Sequence, residues 1–270
     1  RRTRGSELLE TLLESASEGQ TRPALREVGP LILGAVRARA GSRLSLRLTW
    51  LAAVHAAVVM LLLSDVLSSA VFVAVDFSHE VSLWSPAERF LTVGALMVGT
   101  VAVAATLRRR YPEAIVAAVV AFAASVAVAW SMQSPAHSGH WRFPLAIVLL
   151  LPLLRHRPPA VTGLLRYAPV VPVLLIVAEQ GLTQLFPDVA GYLWRGAIVA
   201  VALGSLVWLA VDERFAMAIG LLLLSVALWQ LVGAVLIGAV TTTITVATTA
   251  VLPTLLLLTS AAVARSRARI

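Results

Sequence analysis

Two residue types that carry much of protein chemistry are missing from this chain. It has no cysteine, and all 22 of its basic residues are arginine, so lysine is missing too. Without thiols there are no disulfides, zinc–thiolate sites, iron–sulfur clusters or cysteine catalysis. Without lysine there is no Schiff-base chemistry with pyridoxal phosphate or retinal, and no phosphate-binding loop of the GK[ST] type. The chain therefore does not carry its own ATPase.

Aromatic and charged residues are also scarce, at 6% and 13% of the 270 residues, whereas hydrophobic residues make up 59%. Soluble domains are about 45–50% apolar, and the mean hydropathy of this chain is +0.88. The surplus consists of Ala, Val and Leu, which suits helices in lipid better than sheets. These values predict an all-α fold: a polytopic transmembrane helix bundle embedded in a lipid bilayer.

Apolar stretches divide the second part of the chain, residues 43–270, into about eight candidate spans. A span needs about 20 apolar residues, and most of the stretches satisfy that length. The fourth is short, because only twelve residues separate Arg142 from Arg155. The predicted spans lie near residues 48–75, 88–107, 112–133, 141–154, 167–187, 190–211, 215–237 and 242–263.

The formal charge of +8 is distributed as expected for a multi-pass membrane protein. With eight spans, most arginines lie in loops on one side, which the positive-inside rule assigns to the cytoplasm. Only Arg89, Arg142 and Arg195 then lie outside, each at the edge of a span where it can snorkel. This pattern favours eight spans over seven, and it predicts a plasma-membrane protein with both termini in the cytoplasm. It also explains the basic charge without a nucleic-acid partner.

Residues 1–42 are polar and amphipathic, and they predict a short cytoplasmic helical hairpin. Each helix is too short to be stable alone, so the hairpin needs a surface on which to pack. That surface is the other helix, the bilayer or a cytoplasmic protein partner such as an ATPase or a regulator. The candidate docking residues are Leu9, Leu12, Leu13, Leu25 and Val28.

Few polar residues interrupt the spans, and those that do gather at one depth towards the outer side. Ionisable groups inside a membrane are costly and indicate a functional site by default. They predict an outward-open polar cavity with proton or ligand sites. Interhelical hydrogen bonds near the wet interface are the more common use of such residues. The candidates for a substrate or proton pathway are Asp65, Glu179, Gln180, Gln184 and Gln230.

Other polar groups in the chain favour structural roles. His55 is expected to be a hydrogen-bonded structural residue, and Asp212–Arg214 a solvated helix junction. His137 and His140 form an H-x-x-H pair, but a metal site needs three or four ligands. No metal, cofactor or catalytic site is predicted. Ala95-x-x-x-Gly99 is a small-residue pair that permits close helix packing.

The amino-terminal segment also carries a pattern of residues of its own. It reads Arg4-Gly5-x-Glu7-Leu8-Leu9-x-x-Leu12-Leu13, then Gly19-Gln20-x-Arg22-Pro23, then Glu27, and then Gly34-Ala35-x-Arg37-x-Arg39. This pattern resembles the juxtamembrane prefix of uncharacterised actinobacterial polytopic membrane proteins, which often occur beside PadR-like regulators or ABC exporters. The resemblance covers about a sixth of the chain. It implies a signalling or transporter-accessory role and supplies no catalytic residues.

Two functions follow as expectations. The first is a non-enzymatic regulatory or transporter-accessory subunit that docks a cytoplasmic partner through residues 1–42, or assembles as a homo-oligomer. The second is a permease, alone or paired with a separate ATPase subunit, that uses the polar cavity. A membrane-embedded enzyme is disfavoured, because no acid, base and metal groups converge in the loops.

Overall fold

The computed structural model describes residues 46–78, 84–131, 142–156, 158–159, 163–185, 190–209, 211–236 and 243–268. Within these ranges the chain forms eight α-helices, one short 3₁₀ segment (Gly163–Tyr167) and no strand, so the all-α prediction is confirmed. The helices are α1 (Leu46–Ser78), α2 (Pro86–Leu107), α3 (Tyr111–Ser131), α4 (Arg142–Arg155), α5 (Val170–Leu185), α6 (Ala190–Leu209), α7 (Glu213–Leu236) and α8 (Thr243–Ala268). Each predicted apolar stretch coincides with one helix, whereas residues 1–42 lie outside the described ranges.

Three of the described helices are long and apolar enough to cross a membrane by themselves. They are Leu48–Phe77, Pro86–Leu107 and Tyr111–Ser131, and only 28–44% of each apolar window is buried within the protein. The remaining surface is rich in exposed Val and Leu, and exposed aromatic rings stand near the helix ends, such as Phe90, Trp130 and Tyr167. Aromatic rings at that level are typical of a membrane interface. The structure therefore indicates a membrane-associated helical protein.

Helix α1 is the centre of the described part of the chain. It packs against α2 and α4 on one side and against α5, α7 and α8 on another. Residues 51–62 are buried without interruption, which means that α1 has no exposed face over more than three turns. A helix that is apolar all round is expected in the interior of a bundle. The other helices form two groups that meet on α1, α2–α4 and α5–α8.

Contacts between the helices define two ends of the bundle. At one end, Ala53 near the start of α1 meets Met217 near the start of α7 and Ala264 near the end of α8. We call this the basic end, because it carries most of the described arginines at helix termini. They are Arg108, Arg109, Arg110, Arg155, Arg166, Arg214 and Arg265.

The other end is called the far end, and it contains the last turns of α1 and α3 and the first turns of α2 and α4. Ser85 caps α2 there: its hydroxyl accepts the backbone N–H of Glu88, and the Glu88 carboxylate accepts the backbone N–H of Ser85. The second carboxylate oxygen of Glu88 accepts a hydrogen bond of 3.0 Å from the hydroxyl of Ser131. This capping box therefore fixes the start of α2 against the end of α3.

Helix α4 is the short helix of the bundle, with 14 residues. At 1.5 Å per residue it extends about 21 Å, which is less than the roughly 30 Å of a hydrocarbon core. It nevertheless packs against α1 and α3, and four of its apolar residues are buried, including Phe143 and Leu153. Packing on its neighbours, rather than its own length, holds this helix in the bundle.

Gly99 shows how closely α2 approaches α1. A Cβ atom at this position would lie 3.0 Å from Cγ2 of Val66 on α1 and 3.5 Å from the ring of Phe143 on α4. Ala95, one turn earlier on α2, is also buried. The small pair predicted from the sequence thus lies at a tight helix contact, where a larger side chain has no room.

We expect Gly99→Leu to destabilise the protein by about 1–3 kcal/mol, the usual cost of overpacking. The matched control is Gly94→Leu on the same helix, because a Cβ there would meet nothing within 4 Å. Thermal unfolding in mild detergent would measure both variants. Equal unfolding midpoints for the two variants would contradict the packing described at Gly99.

Candidate functional site

The polar residues of the far end are organised by α1. Asp65 and Asp76 are eleven residues apart, which is close to three helical turns, so both carboxylates lie on the same side of α1. Both are buried, with exposed fractions of 1% and 6%. A carboxylate in a low-dielectric interior requires a partner, and each aspartate has an arginine from a different helix.

Asp65 pairs with Arg142, the first residue of α4. A guanidinium nitrogen of Arg142 lies 3.8 Å from Oδ1 of Asp65, and the Arg142 side chain is 25% exposed. The same nitrogen donates a hydrogen bond of 3.3 Å to the hydroxyl of Ser68. Arg142 was expected to snorkel at the membrane edge, but it also joins the start of α4 to the middle of α1.

Asp76 pairs with Arg89, one turn into α2. The Nε–H of Arg89 donates a hydrogen bond of 2.8 Å to Oδ2 of Asp76, and its guanidinium lies 5.5 Å from the centre of the Phe77 ring. The first span predicted from the sequence ended near residue 75, which left Asp76 outside it. That boundary is wrong, because α1 continues to Ser78 and includes Asp76, which is buried although Val75 and Phe77 beside it are exposed.

A narrow cleft with a cavity volume of about 30 Å³ lies between α1, α2 and α3 at the far end. Three hydroxyl-bearing residues, one from each helix, line it together with the half-buried Trp84. They are Ser69, Thr92 and Ser125. The hydroxyls of Thr92 and Ser125 donate to backbone carbonyls of their own helices, so their oxygens still have lone pairs to accept from a ligand. The cleft is therefore a small site in which three hydroxyls lie among apolar side chains.

The ion pairs bracket this cleft along α1. Asp65 precedes Ser69 by one helical turn, and Asp76 follows Phe72, another lining residue, by one turn. A polar solute in the cleft would thus be within one turn of a charged pair on either side. Each charge placed at membrane depth costs about 2.5–3.5 kcal/mol on insertion scales, which makes this concentration of charge the strongest sign of function in the described residues.

The other residues predicted for the pathway lie on two helices that contribute no described residue to the lining of this cleft. Glu179, Gln180 and Gln184 lie on α5, and Gln230 lies on α7. Both helices pack against α1, but these four side chains lie outside the described part of the chain, as do docking candidates Leu9 to Val28. Asp65 is the one candidate whose side-chain contacts are described. The arginines that pair with the two aspartates of α1, Arg142 and Arg89, were not predicted. The signal for them was an arginine in the first turn of each of two later helices.

The strongest disagreement with the sequence interpretation is at the turn between α6 and α7. Asp212, Glu213 and Arg214 were expected to be solvated, yet they are 0%, 2% and 1% exposed. Arg214 donates from Nε and from a terminal nitrogen to the two oxygens of Asp212, each at 2.9 Å. Oδ1 of Asp212 also accepts the backbone N–H of Arg214 at 3.0 Å. Asp212 therefore caps α7 and neutralises a buried arginine at once.

The physical reason for this error is that burial was judged from charge alone. The bidentate pair between Arg214 and Asp212 neutralises both charges within the turn. The turn can therefore be buried in the bundle without an unpaired charge. Phe215 and Trp208, whose rings are 6.1 Å apart, flank the turn on the α7 and α6 sides. The next turn of α7 places Met217 on Ala53 of α1 and Ala264 of α8. The pair thus stands beside the junction of the central helices.

His55 has the structural role that the sequence predicted. Its Nδ1 lies 3.2 Å from the hydroxyl of Tyr111, both side chains are buried, and the two rings meet edge to face at 6.0 Å. The contact joins the first part of α1 to the first residue of α3. In the described ranges no group of three or more His, Asp or Glu side chains is placed so that it could hold a metal ion.

The turn between α2 and α3 contains Arg109 in a left-handed conformation, with φ of 61°. Helices often end in this way, usually with glycine, because a side chain raises the energy of that conformation. The guanidinium of Arg109 donates to the carbonyls of Pro158 and Pro159 at 3.3 and 3.1 Å. These bonds give a reason for an arginine there, since they tie the α2–α3 turn to the segment after α4.

Comparison with known proteins finds no relative: no family model matches the chain, and no curated protein or solved structure is detectably similar to it. Its function therefore has to be inferred from its own residues.

We expect Arg214→Gln to destabilise the protein by about 3–5 kcal/mol, the cost of leaving one member of a buried ion pair without its partner. Arg110→Gln is the matched control, because Arg110 pairs with Glu113 at 3.5 Å with both side chains more than half exposed. Exposed pairs contribute about 0–1 kcal/mol. Thermal unfolding in detergent would compare them, and a loss in Arg214→Gln no larger than in the control would refute the buried pair.

Proposed function

We propose that this chain is a multi-pass protein of the cell membrane with eight spans and with both termini on the cytoplasmic side. The eight described helices and the basic end support this proposal, because arginines collect on the cytoplasmic side of membrane proteins. Arg89 and Arg142 at the far end each pair with a buried aspartate of α1. Pairing lowers the cost of placing these two charges in the outer half of the bundle.

Within that topology we propose a permease that binds a small polar solute in the cleft between α1, α2 and α3. The observation that carries this proposal is the cleft itself: hydroxyls from three helices lie between two ion pairs on one central helix. Intramembrane ion pairs mark substrate and proton pathways in membrane proteins. Asp65 is the residue we assign to the solute or to a proton, and Arg142 positions it.

In this conformation the cleft has room for only about one or two water molecules, so entry of a solute would require α1 to move against α2 and α3. A guanidinium nitrogen of Arg142 lies 3.8 Å from Asp65, and a solute that enters the cleft would interact with this pair. Glu179 on α5 is proposed as a second site of the same pathway, on the sequence pattern alone.

The alternative proposal is a regulatory or transporter-accessory subunit, docked to an ATPase or regulator through residues 1–42. The leucine pattern of that segment supports it. Purification from the native host with and without residues 1–42 tests it, because a true partner would be lost with the segment. Recovery of the same partner with the truncated protein would contradict this role.

For the permease proposal, a panel of amino acids, sugars and organic acids should contain a solute that raises the thermal midpoint of the wild-type protein. Ligands that bind only the folded state stabilise it in proportion to occupancy. Asp65→Asn, alone or with Glu179→Gln, should weaken that response by roughly tenfold or more, since a hydrogen bond to a charged group contributes about 1.5–3 kcal/mol.

The control for this measurement is Glu113→Gln, which neutralises an exposed carboxylate at the basic end. It should leave the solute response unchanged. No response of the wild-type protein to any solute, or an equal response in Asp65→Asn, would contradict the permease proposal.

A further inference from the structure

A second cleft, unlike the first, lies between α5 and α6 with α7 as its floor. We call it the α5–α6 groove, and its volume is about 460 Å³. Its walls are apolar apart from Ser205, whose hydroxyl donates to the carbonyl of Val201 at 2.7 Å. Lining residues include Leu174, Ala200, Gly204, Trp208, Phe215 and Ile219. The groove therefore provides a large contact surface for an apolar ligand and few hydrogen-bonding groups for a polar solute.

Small residues of α6 keep this groove open. Gly204 lines it, and a Cβ atom at that position would meet nothing within 4 Å. Gly220 on α7 is different, because a Cβ there would lie 3.1 Å from Leu257 of α8. The glycine in the groove thus faces free space, whereas the glycine between α7 and α8 allows close packing. No side chain described in the structure fills the volume beside Gly204.

The groove has the direction and chemistry of a lipid chain site. Its lining on α6 extends from Ala197 to Trp208, which is about 16 Å along the helix axis at 1.5 Å per residue. Acyl chains run in the same direction as membrane-spanning helices. Apolar cavities exclude water and accept apolar ligands. An acyl chain from the bilayer can therefore fill this groove with favourable apolar contacts, whereas water cannot.

An exposed arginine lies at the basic end, in the segment that precedes the first lining residue of the groove. Arg166 belongs to the 3₁₀ segment that leads into α5, five residues before Val171, the first lining residue. Its guanidinium lies 4.7 Å from the centre of the Tyr167 ring, and it forms no ion pair with any carboxylate described in the structure. Guanidinium groups bind phosphate through two parallel hydrogen bonds. Tyr167 is half-exposed and suits the headgroup level of a membrane.

We propose that the α5–α6 groove binds one acyl chain of an anionic phospholipid, whose phosphate is held by Arg166. The proposal rests on the membrane placement of the chain and is independent of the solute that the permease proposal requires. Charge favours a lipid over a second copy of this protein. Copies in one membrane share their orientation, so their basic ends would meet and repel each other, whereas an anionic headgroup is attracted.

The test is native mass spectrometry of the full chain released from nanodiscs that contain equal amounts of phosphatidylcholine and phosphatidylglycerol. The wild-type protein should retain one phosphatidylglycerol. Gly204→Leu should reduce retention by about tenfold, because its side chain occupies the open space of the groove. Gly94→Leu is the control, since it also enters free space but lies on α2, and it should retain lipid like the wild type.

A second variant separates the headgroup from the chain. Arg166→Gln should still retain a lipid, but its preference for phosphatidylglycerol over phosphatidylcholine should fall towards parity. Equal retention in Gly204→Leu and Gly94→Leu, or an unchanged preference in Arg166→Gln, would overturn the proposal. It would also be overturned by a wild-type dimer that Gly204→Leu splits without any loss of lipid.

Two further measurements keep the outcomes distinct. If Gly204→Leu does not fold, Ala200→Leu fills the same groove from an exposed position and has the same expected result. The solute response described above is measured on the same samples. If the protein retains no phosphatidylglycerol but still responds to the solute, the lipid proposal alone is refuted. If the protein does not enter nanodiscs, both proposals are refuted.

Discussion

Lipid cannot hydrate a charge, and this constraint shapes the described part of the chain. The central helix α1 contains two buried aspartates, so their charges have to be met by the protein itself. Arg142 from α4 and Arg89 from α2 meet them. These pairs fix which helices flank α1 at the far end, and the cleft with its three hydroxyls lies between them. The placement of α2 and α4 beside α1 at the far end therefore meets one electrostatic requirement, whereas α3 is joined to α2 by the Glu88–Ser131 hydrogen bond.

The same requirement is met differently at the basic end. Asp212 and Arg214 are neighbours in sequence and neutralise each other within one turn, so no second helix is needed. Arg109 uses backbone carbonyls after α4 instead of a carboxylate. Arg166 lies exposed beside the α5–α6 groove. The far end thus uses its charges to join helices, whereas the basic end combines internal pairs with arginines on the surface.

The sequence predicted the helices well, because an apolar run of sufficient length is a local property. It also predicted the role of His55 and the small contact at Gly99. It could not predict which helices are neighbours, since a helix that is apolar all round favours no face. For that reason α1 was not recognised as central, and the partners of Asp65 and Asp76 were missed. Asp212–Arg214 was misplaced because charge was equated with exposure, although a bidentate pair can be buried.

Site-specific cysteine labelling tests the topology on which this account depends, and the absence of native cysteine makes each introduced thiol unique. Ala87→Cys reports on the far end, and Arg155→Cys and Ser266→Cys report on the basic end. With eight spans, a membrane-impermeant maleimide should label Ala87→Cys in intact cells and the other two only after permeabilisation. Labelling of Ser266→Cys in intact cells, with Arg155→Cys still protected, would require an odd number of spans and would contradict the account.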